Sequence, residues 1–138
     1  MGYRPHGGLK TCNQWYSMDK SIPWAYGVGA LRVWSERFAA LGCKHIPIVC
    51  DGGVKATDLI EHVTAVLQQV ALSYSLFDRI VSDPPNTLVD EGGTFAKEEG
   101  VNGVLGIGGG SLDAAKAIAI LLTNPDPISR YYIARQCA

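Results

Sequence analysis

Three consecutive glycines and a serine, Gly108 to Ser111, are the residues of this sequence best suited to hold an anion. Glycines let the backbone approach a ligand with no Cβ in the way, and they permit positive φ. An apolar run precedes them and an alanine-rich run follows, which predicts a strand, a turn and a helix start. Backbone amides at such a helix N-terminus face a bound phosphate. We interpret the stretch as a phosphate site; the alternative is a tight turn without a ligand.

Two common nucleotide-binding motifs are not matched at this turn. A G-x-G-x-x-G pattern that starts at Gly106 ends on Ser111, and no lysine follows the last glycine directly, as the phosphate loop requires. The usual acidic residue about 20 positions downstream is also missing, since the candidate acid, Asp51, lies upstream. The layout therefore differs from the common dinucleotide fingerprint.

Hydrophobic periodicity predicts strands that alternate with helices along the chain. The predicted strands are residues 22–26, 46–50, 73–80 and 101–107. This order predicts an α/β fold with a mostly parallel sheet and helices on both faces. Ligands bind at the carboxyl ends of the strands in such sheets. Asp51, Asn86 and Gly108–Ser111 all follow predicted strands, so we expect them to share one site.

Local signals mark several helix boundaries. Gly42 is expected to end the first helix. Asp58 and Glu61 have the spacing of a capping box for a helix that begins near residue 59. Residues 88–99 are predicted to be helical, although Gly92 and Gly93 each weaken this helix by about 1 kcal/mol relative to alanine.

Length and composition favour one globular domain. The 138 residues divide into an irregular N-terminal segment, 1–20, and an α/β domain, 21–138. A net charge of −1 gives no reason to expect nucleic acid or an anionic membrane as a partner. The four cysteines lack a disulfide or metal spacing, and no apolar run approaches the ~18 residues of a membrane span. We expect a soluble, cytoplasmic protein with reduced thiols.

The helix after the glycine turn has almost no polar face between residues 114 and 122. A helix that is apolar all round requires cover on every side. This pattern predicts that a partner, including a second copy of the chain, or another domain covers it.

The run Gly108 to Ala119 resembles the GGGSxxDxAKAIA signature of the iron-containing (group III) alcohol dehydrogenases. The resemblance covers residues 21–132 in order. Its other parts are the first glycine turn, a strand end, a proline-rich loop and a helix end, at 26–31, 49–51, 84–87 and 123–125.

The resemblance implies an N-terminal, Rossmann-like dinucleotide-binding domain of the dehydroquinate-synthase type. In the family the GGGS turn, here Gly108, Gly109, Gly110 and Ser111, holds the cofactor diphosphate. The acid at the Asp51 position contacts the adenosine ribose, which favours NAD over NADP because a carboxylate repels a 2′-phosphate; the alternative for Asp51 is a turn residue. The remaining cofactor-binding candidates by resemblance are Asn86, Asp113 and Thr123.

Two departures from the family pattern bear on function. Leu112 alone separates Ser111 from Asp113, where the family has two residues, and one lost residue turns a helix by about 100°. Family members also hold one metal, iron or zinc, through an Asp and three His in an all-helical second domain. The histidines here, His6, His45 and His62, do not match those ligands and are interpreted as structural or surface residues.

The leading hypothesis is therefore the NAD-binding portion of an iron-type alcohol dehydrogenase, truncated before its metal-binding domain. Its parent reaction transfers a hydride between an alcohol and NAD, with a small alcohol or aldehyde as partner once a second domain completes it. The chain by itself is expected to be weakly active or inactive. One alternative is a non-catalytic nucleotide-binding or partner module. Another is a fragment of an enzyme like glycerol dehydrogenase or dehydroquinate synthase.

Overall fold

The computed structural model describes residues 15–18 and 24–131. The strands are β1 (Trp15–Met18), β2 (Trp24–Gly27), β3 (His45–Asp51), β4 (Ser73–Ile80) and β5 (Leu105–Gly106). The helices are α1 (Ala30–Ala40), α2 (Gly52–Lys55), α3 (Leu59–Gln69), α4 (Asn86–Glu98) and α5 (Ser111–Thr123), followed by a 3₁₀ turn at Ile128–Tyr131.

The central sheet is parallel and has the strand order β4-β3-β5. Because β3 lies in the middle, it is buried on both faces and carries an almost continuous apolar sequence. The outer strand β5 pairs over two residues only, with Ile48 opposite Leu105 and Val49 opposite Gly106. The predicted parallel α/β fold is confirmed, with a shorter last strand than the predicted 101–107.

Two hydrophobic clusters cover the two faces of this sheet. Ile46 and Ile48 of β3 pack on one face with the residues of α1 and α3. Val49, which points the opposite way on the same strand, packs on the other face with α4 and α5. The side-chain period of two in a strand produces this division. The prediction of helices on both faces is confirmed.

The first strand pair lies outside the parallel sheet. β1 and β2 form an antiparallel, two-stranded sheet with Trp15 opposite Gly27. The prediction of an irregular segment at 1–20 is therefore wrong for residues 15–18, because backbone pairing with β2 makes them a strand. Residues 1–14 and 19–20 lie outside the described residues, as do 22 and 23 of the predicted edge strand, and the division at residue 20 stays a prediction.

Gly92 and Gly93 let α4 pack closely against α5. A Cβ at Gly92 would lie 2.4 Å from Ile118 Cδ1, and one at Gly93 would lie 2.6 Å from Leu121 Cδ1. Both glycines are buried, and so are Ile118 and Leu121. The helix predicted over 88–99 is confirmed. The two glycines lower the helix propensity of α4, but their lack of a Cβ allows its close packing against α5.

The cover of α5 differs from the prediction. Its buried residues, Ala114, Ala115, Ile118 and Leu121 among them, pack within the chain against the sheet and α4. The prediction that a partner or another domain covers the helix is therefore wrong for its buried face, because α4 and the sheet cover that face within the chain. Leu112 and Ile120 remain 43% and 45% exposed. Within the described part of the chain, no helix has both the length and the apolar character needed to cross a membrane.

The predicted capping box at the start of α3 does not form. Asp58 adopts helical dihedrals, with φ −73° and ψ −4°, and its side chain makes no capping hydrogen bond. Thr57 takes this role instead, because its Oγ1 accepts the Leu59 N–H at 3.3 Å. The cap therefore lies one residue earlier than the sequence spacing suggested.

We expect Thr57→Ala to lower the free energy of unfolding by about 1 kcal/mol, the usual cost of losing an N-terminal cap. The matched variant Asp58→Ala should stay within about 0.5 kcal/mol of the parent, because its carboxylate caps nothing. Urea unfolding of the three proteins measures both values. A larger loss for Asp58→Ala than for Thr57→Ala would contradict this assignment.

Candidate functional site

The order β4-β3-β5 creates a crevice between the carboxyl ends of β3 and β5. From β3 the chain crosses over one face to β4, and it then returns over the other face to β5 on the far side of β3. Open α/β sheets bind ligands at this point, where the direction of winding reverses. Asp51 ends β3 and the turn Gly108–Gly110 follows β5, so both candidates lie at this crevice.

The glycine turn presents backbone N–H groups at the N-terminus of α5. Gly108, Gly109 and Gly110 are exposed, and Gly108 has a φ of +125°, which a residue with a side chain rarely adopts. No acceptor within the described residues takes the N–H group of any of the three. The amides that follow, from Leu112 onward, bond to carbonyls of the turn and helix. The turn therefore has donors available for an anion.

Asp51 joins this turn to the neighbouring helix α2. Its Oδ1 accepts the Val54 N–H at 2.8 Å and so caps α2. Its Oδ2 accepts the hydroxyl proton of Ser111 at 3.3 Å. The structure thus brings Asp51, Gly108 and Ser111 together, as predicted from the strand ends.

Asn86 and Asp113 lie on a second feature, a cleft of about 470 Å³ between α4 and α5. The cleft is also lined by Ile128 and Tyr131 of the 3₁₀ turn. A volume of this size is within the range of small-molecule sites. Asp113 is exposed and pairs with Lys116 at 3.2 Å, so its carboxylate lies on the surface.

Thr123 does not join either group. It is the last residue of α5, whereas Ser111 is the first. A helix of this length separates its two ends by about 18 Å. Thr123 contacts Asn124 instead, through its Oγ1. Thr123 therefore lies apart from the glycine turn, and its contact with the cofactor stays a prediction.

Lys55 and Asp78 form an ion pair near the same end of the sheet that the sequence did not predict. The hydrogen bond from Lys55 holds the pKa of the Asp78 carboxyl below its ordinary value of 3.8. The same bond raises the pKa of Lys55 above its ordinary value of 10.5. The pair ties the last residue of α2 to β4, and 23 residues separate its partners, so local sequence gave no signal.

We expect Lys55→Met to lose a stabilising contribution that depends on pH. A lowered Asp78 pKa stabilises the fold above about pH 4, and that contribution disappears as pH falls through the folded value. A raised Lys55 pKa stabilises below about pH 10, and that contribution disappears as pH rises further. The stability difference between the parent and Lys55→Met should therefore be level between these limits and shrink outside them.

Thermal unfolding of both proteins between roughly pH 2 and pH 8 measures the change on the acid side. The same comparison in an Asp78→Asn background should show no such change; an equal change there would contradict the assignment.

The other candidate ligands in the described residues include one buried thiol and two histidines that lie away from the crevice. Burial raises the pKa of the Cys50 thiol, and the carboxylates of Asp78 and Asp51 raise it further. His45 contacts Ser73 and Ser75 on the opposite end of the sheet, and His62 bonds the Asp58 carbonyl on α3. These two histidines are structural and surface residues, as predicted, while His6 lies outside the described residues. Residues 15–18 and 24–131 contain no group of three or more His, Cys, Asp or Glu arranged to hold a metal.

A parallel sheet with helices on both faces and a glycine turn at its crevice defines a Rossmann-like α/β domain. The family model for iron-containing alcohol dehydrogenases matches residues 24–137, and the chain belongs to this family. The resemblance stated from the sequence is thereby confirmed.

Individual relatives agree with the family match. The chain is 34% identical over 107 residues to the choline dehydrogenase of Bacillus subtilis (strain 168), covering 77% of this chain and 27% of that protein. It is 34% identical over 106 residues to the NAD-dependent methanol dehydrogenase of Bacillus methanolicus, covering 76% of this chain and 28% of that protein.

Solved structures agree as well. The chain is similar to the NADH-dependent butanol dehydrogenase A of Thermotoga maritima, with a TM-score of 0.66 and 25% identity. That match covers 72% of this chain and 26% of the other. The chain therefore spans about a quarter of the length of the relatives it matches, and it corresponds to their N-terminal portion.

Proposed function

We propose that this chain is the NAD-binding portion of an iron-type alcohol dehydrogenase, and that the turn Gly108–Gly110 holds the cofactor diphosphate. The observation that carries the proposal is a set of three exposed glycines at the crevice whose N–H groups have no acceptor among the described residues. The space beside this turn is open, since a Cβ at Gly109 or Gly110 would meet nothing within 4 Å, and this leaves room for a diphosphate. The positive end of α5 adds to the attraction for an anion.

Asp51 is proposed to accept hydroxyl hydrogen bonds from the adenosine ribose. It lies beside the turn, and each of its oxygens accepts only one hydrogen bond within the described residues. A carboxylate oxygen has two lone pairs, so each can take one ligand hydroxyl. A negative charge here repels a 2′-phosphate, which supports NAD over NADP as the cofactor. Names of relatives agree, since one is an NAD-dependent methanol dehydrogenase and another an NADH-dependent butanol dehydrogenase.

Asn86 and Asp113 are proposed to contact the part of the cofactor that extends from the turn into the α4–α5 cleft. When bound, NAD supplies the hydride acceptor for oxidation of an alcohol. The residues of this chain bind and orient it. The family metal has no ligand set within the described residues, so no role in activating the alcohol is assigned to them.

The proposal also includes a small alcohol or aldehyde as the substrate, assembly as a homo-oligomer and a cytoplasmic location. Cys43 and Cys50 are free and buried, which supports a reducing compartment.

Calorimetric titration of the 138-residue chain with NAD⁺ and NADP⁺ tests this proposal. We expect binding of NAD⁺, and at least about tenfold weaker binding of NADP⁺ because of the charge on Asp51. Turnover of an alcohol by the chain alone is expected to be weak or absent. No heat of binding for NAD⁺ at millimolar concentration would reject the proposal, and equal affinities for the two cofactors would reject the role of Asp51.

A second candidate, a non-catalytic module that binds a partner, is favoured by one observation. Leu112 and Ile120 expose apolar surface on α5, beside the buried face of the helix. Size-exclusion chromatography of the chain over a range of concentrations tests this second candidate. A chain that stays monomeric at all concentrations argues against a partner surface on α5.

A further inference from the structure

The hydroxyl of Ser111 points into the protein, unlike the rest of the glycine turn. Ser111 is 1% exposed, whereas Gly108, Gly109 and Gly110 are exposed. Its Oγ donates to Asp51 Oδ2 at 3.3 Å. A ligand on the solvent side of the turn therefore meets the glycine amides, and the serine hydroxyl is already committed to a carboxylate.

This hydrogen bond connects two elements that are 60 residues apart in the sequence. Asp51 is fixed at both oxygens, by Val54 N–H on one and by Ser111 on the other. Two fixed points determine the direction of a carboxylate plane, and with it the direction of the remaining lone pairs. Losing the Ser111 bond leaves the Val54 bond alone, so the carboxylate can turn about that remaining contact.

Gly108 passes over this pair at close range. A Cβ there would lie 3.3 Å from Ser111 Oγ and 3.5 Å from Asp51 Oδ2. The position of the turn and the position of the carboxylate are therefore linked through Ser111, which touches both.

We propose that Ser111 is a positioning residue that acts through Asp51. Its hydroxyl orients the Asp51 carboxylate toward the hydroxyl pair of a ribose, and it makes no contact with the diphosphate. The inference rests on the proposed function, and it assigns the diphosphate to the glycine amides and the ribose to the pair Ser111–Asp51.

The test compares three ligands that contain a diphosphate, namely inorganic pyrophosphate, ADP and 2′-deoxy-ADP. Dissociation constants come from NMR titrations of the chain that follow its backbone amide signals. The parent chain should bind ADP about tenfold more tightly than 2′-deoxy-ADP, the usual value of a hydrogen bond to a charged group. Ser111→Ala should reduce this preference to about threefold or less, while its affinity for pyrophosphate stays within about twofold of the parent.

Ser35→Ala is the matched control. Ser35 is also 1% exposed, and it donates to the Arg32 carbonyl at 2.8 Å within α1, away from the crevice. This variant should retain the preference for ADP in full. If Ser111→Ala does not fold, Ser111→Cys replaces the hydroxyl with a weak donor of similar shape, and the same loss of preference is expected.

Each outcome bears on a different part of the proposal. An equal loss of pyrophosphate and ADP affinity in Ser111→Ala would show that the hydroxyl serves the phosphate, which overturns the inference and leaves the proposed function intact. A preference for ADP that Ser111→Ala retains, or a parent chain that binds ADP and 2′-deoxy-ADP equally, also overturns the inference. A parent chain that binds none of the three ligands rejects the proposed function itself.

Discussion

Gly106→Ala should destabilise the fold by about 3 kcal/mol, the upper part of the range for an added methyl group in a packed interior. Its Cβ would lie 2.6 Å from the Cβ of Ala115, a distance at which one of the two atoms must move. Rotation about a side-chain bond cannot relieve this contact, because both atoms are bonded directly to the backbone. The start of α5 would therefore move away from β5. Urea unfolding measures the loss.

A double-mutant cycle isolates the cause. Ala115→Gly alone should cost about 1 kcal/mol, the helix propensity of alanine over glycine. The double variant Gly106→Ala/Ala115→Gly should be more stable than the sum of the two losses predicts, by at least about 1 kcal/mol. Gly103→Ala is the control in the same segment, since its Cβ would make ordinary contacts of 3.5 Å and longer. Additive losses, or an equal loss for Gly103→Ala, would contradict a direct clash.

Gly108→Ala should weaken NAD binding at least about tenfold. An L-residue at φ +125° stores strain of about 1–3 kcal/mol, and the new methyl group would lie 3.3 Å from Ser111 Oγ and Val54 Cγ2. The turn is expected to relieve this strain by changing its backbone angles. The N–H groups of Gly109 and Gly110 then point away from the diphosphate. Calorimetric titration with NAD⁺ measures the change.

Gly42→Ala provides a control for strain without a ligand contact. Gly42 has a φ of +79° after the end of α1, and a Cβ there would meet nothing within 4 Å. This variant should also lose stability, yet it should bind NAD⁺ as the parent does. Equal weakening of NAD⁺ binding in both variants would mean that general destabilisation, and not the shape of the turn, causes the effect.

Periodicity and glycine positions predicted the parallel sheet and the meeting of Asp51 with the glycine turn. Both follow from local sequence: the apolar runs of β3 and β4 define strands, and the carboxyl ends of parallel strands meet at one edge. Gly42 was likewise predicted, because a left-handed residue after a helix has a local steric cause.

Features that depend on distant contacts were not predicted. The short helix α2 begins with two glycines, which are poor helix formers, and is held by the Asp51 cap and the ion pair of Lys55 with Asp78. The strand β1 exists through its pairing with β2. The capping residue of α3 depends on backbone angles at Thr57 and Asp58, and side-chain type does not reveal those angles.

The glycine pair in α4 also determines how far apart two candidate ligand contacts lie. Asn86 is the first residue of α4 and Asp113 is near the start of α5, and both helices meet tightly at Gly92, Gly93 and Ile118. The width of the cleft mouth therefore depends on side-chain volume at a helix crossing whose residues do not line the cleft. Evolution or design can adjust which molecules enter by exchanging residues at this crossing while every residue at the entrance stays the same.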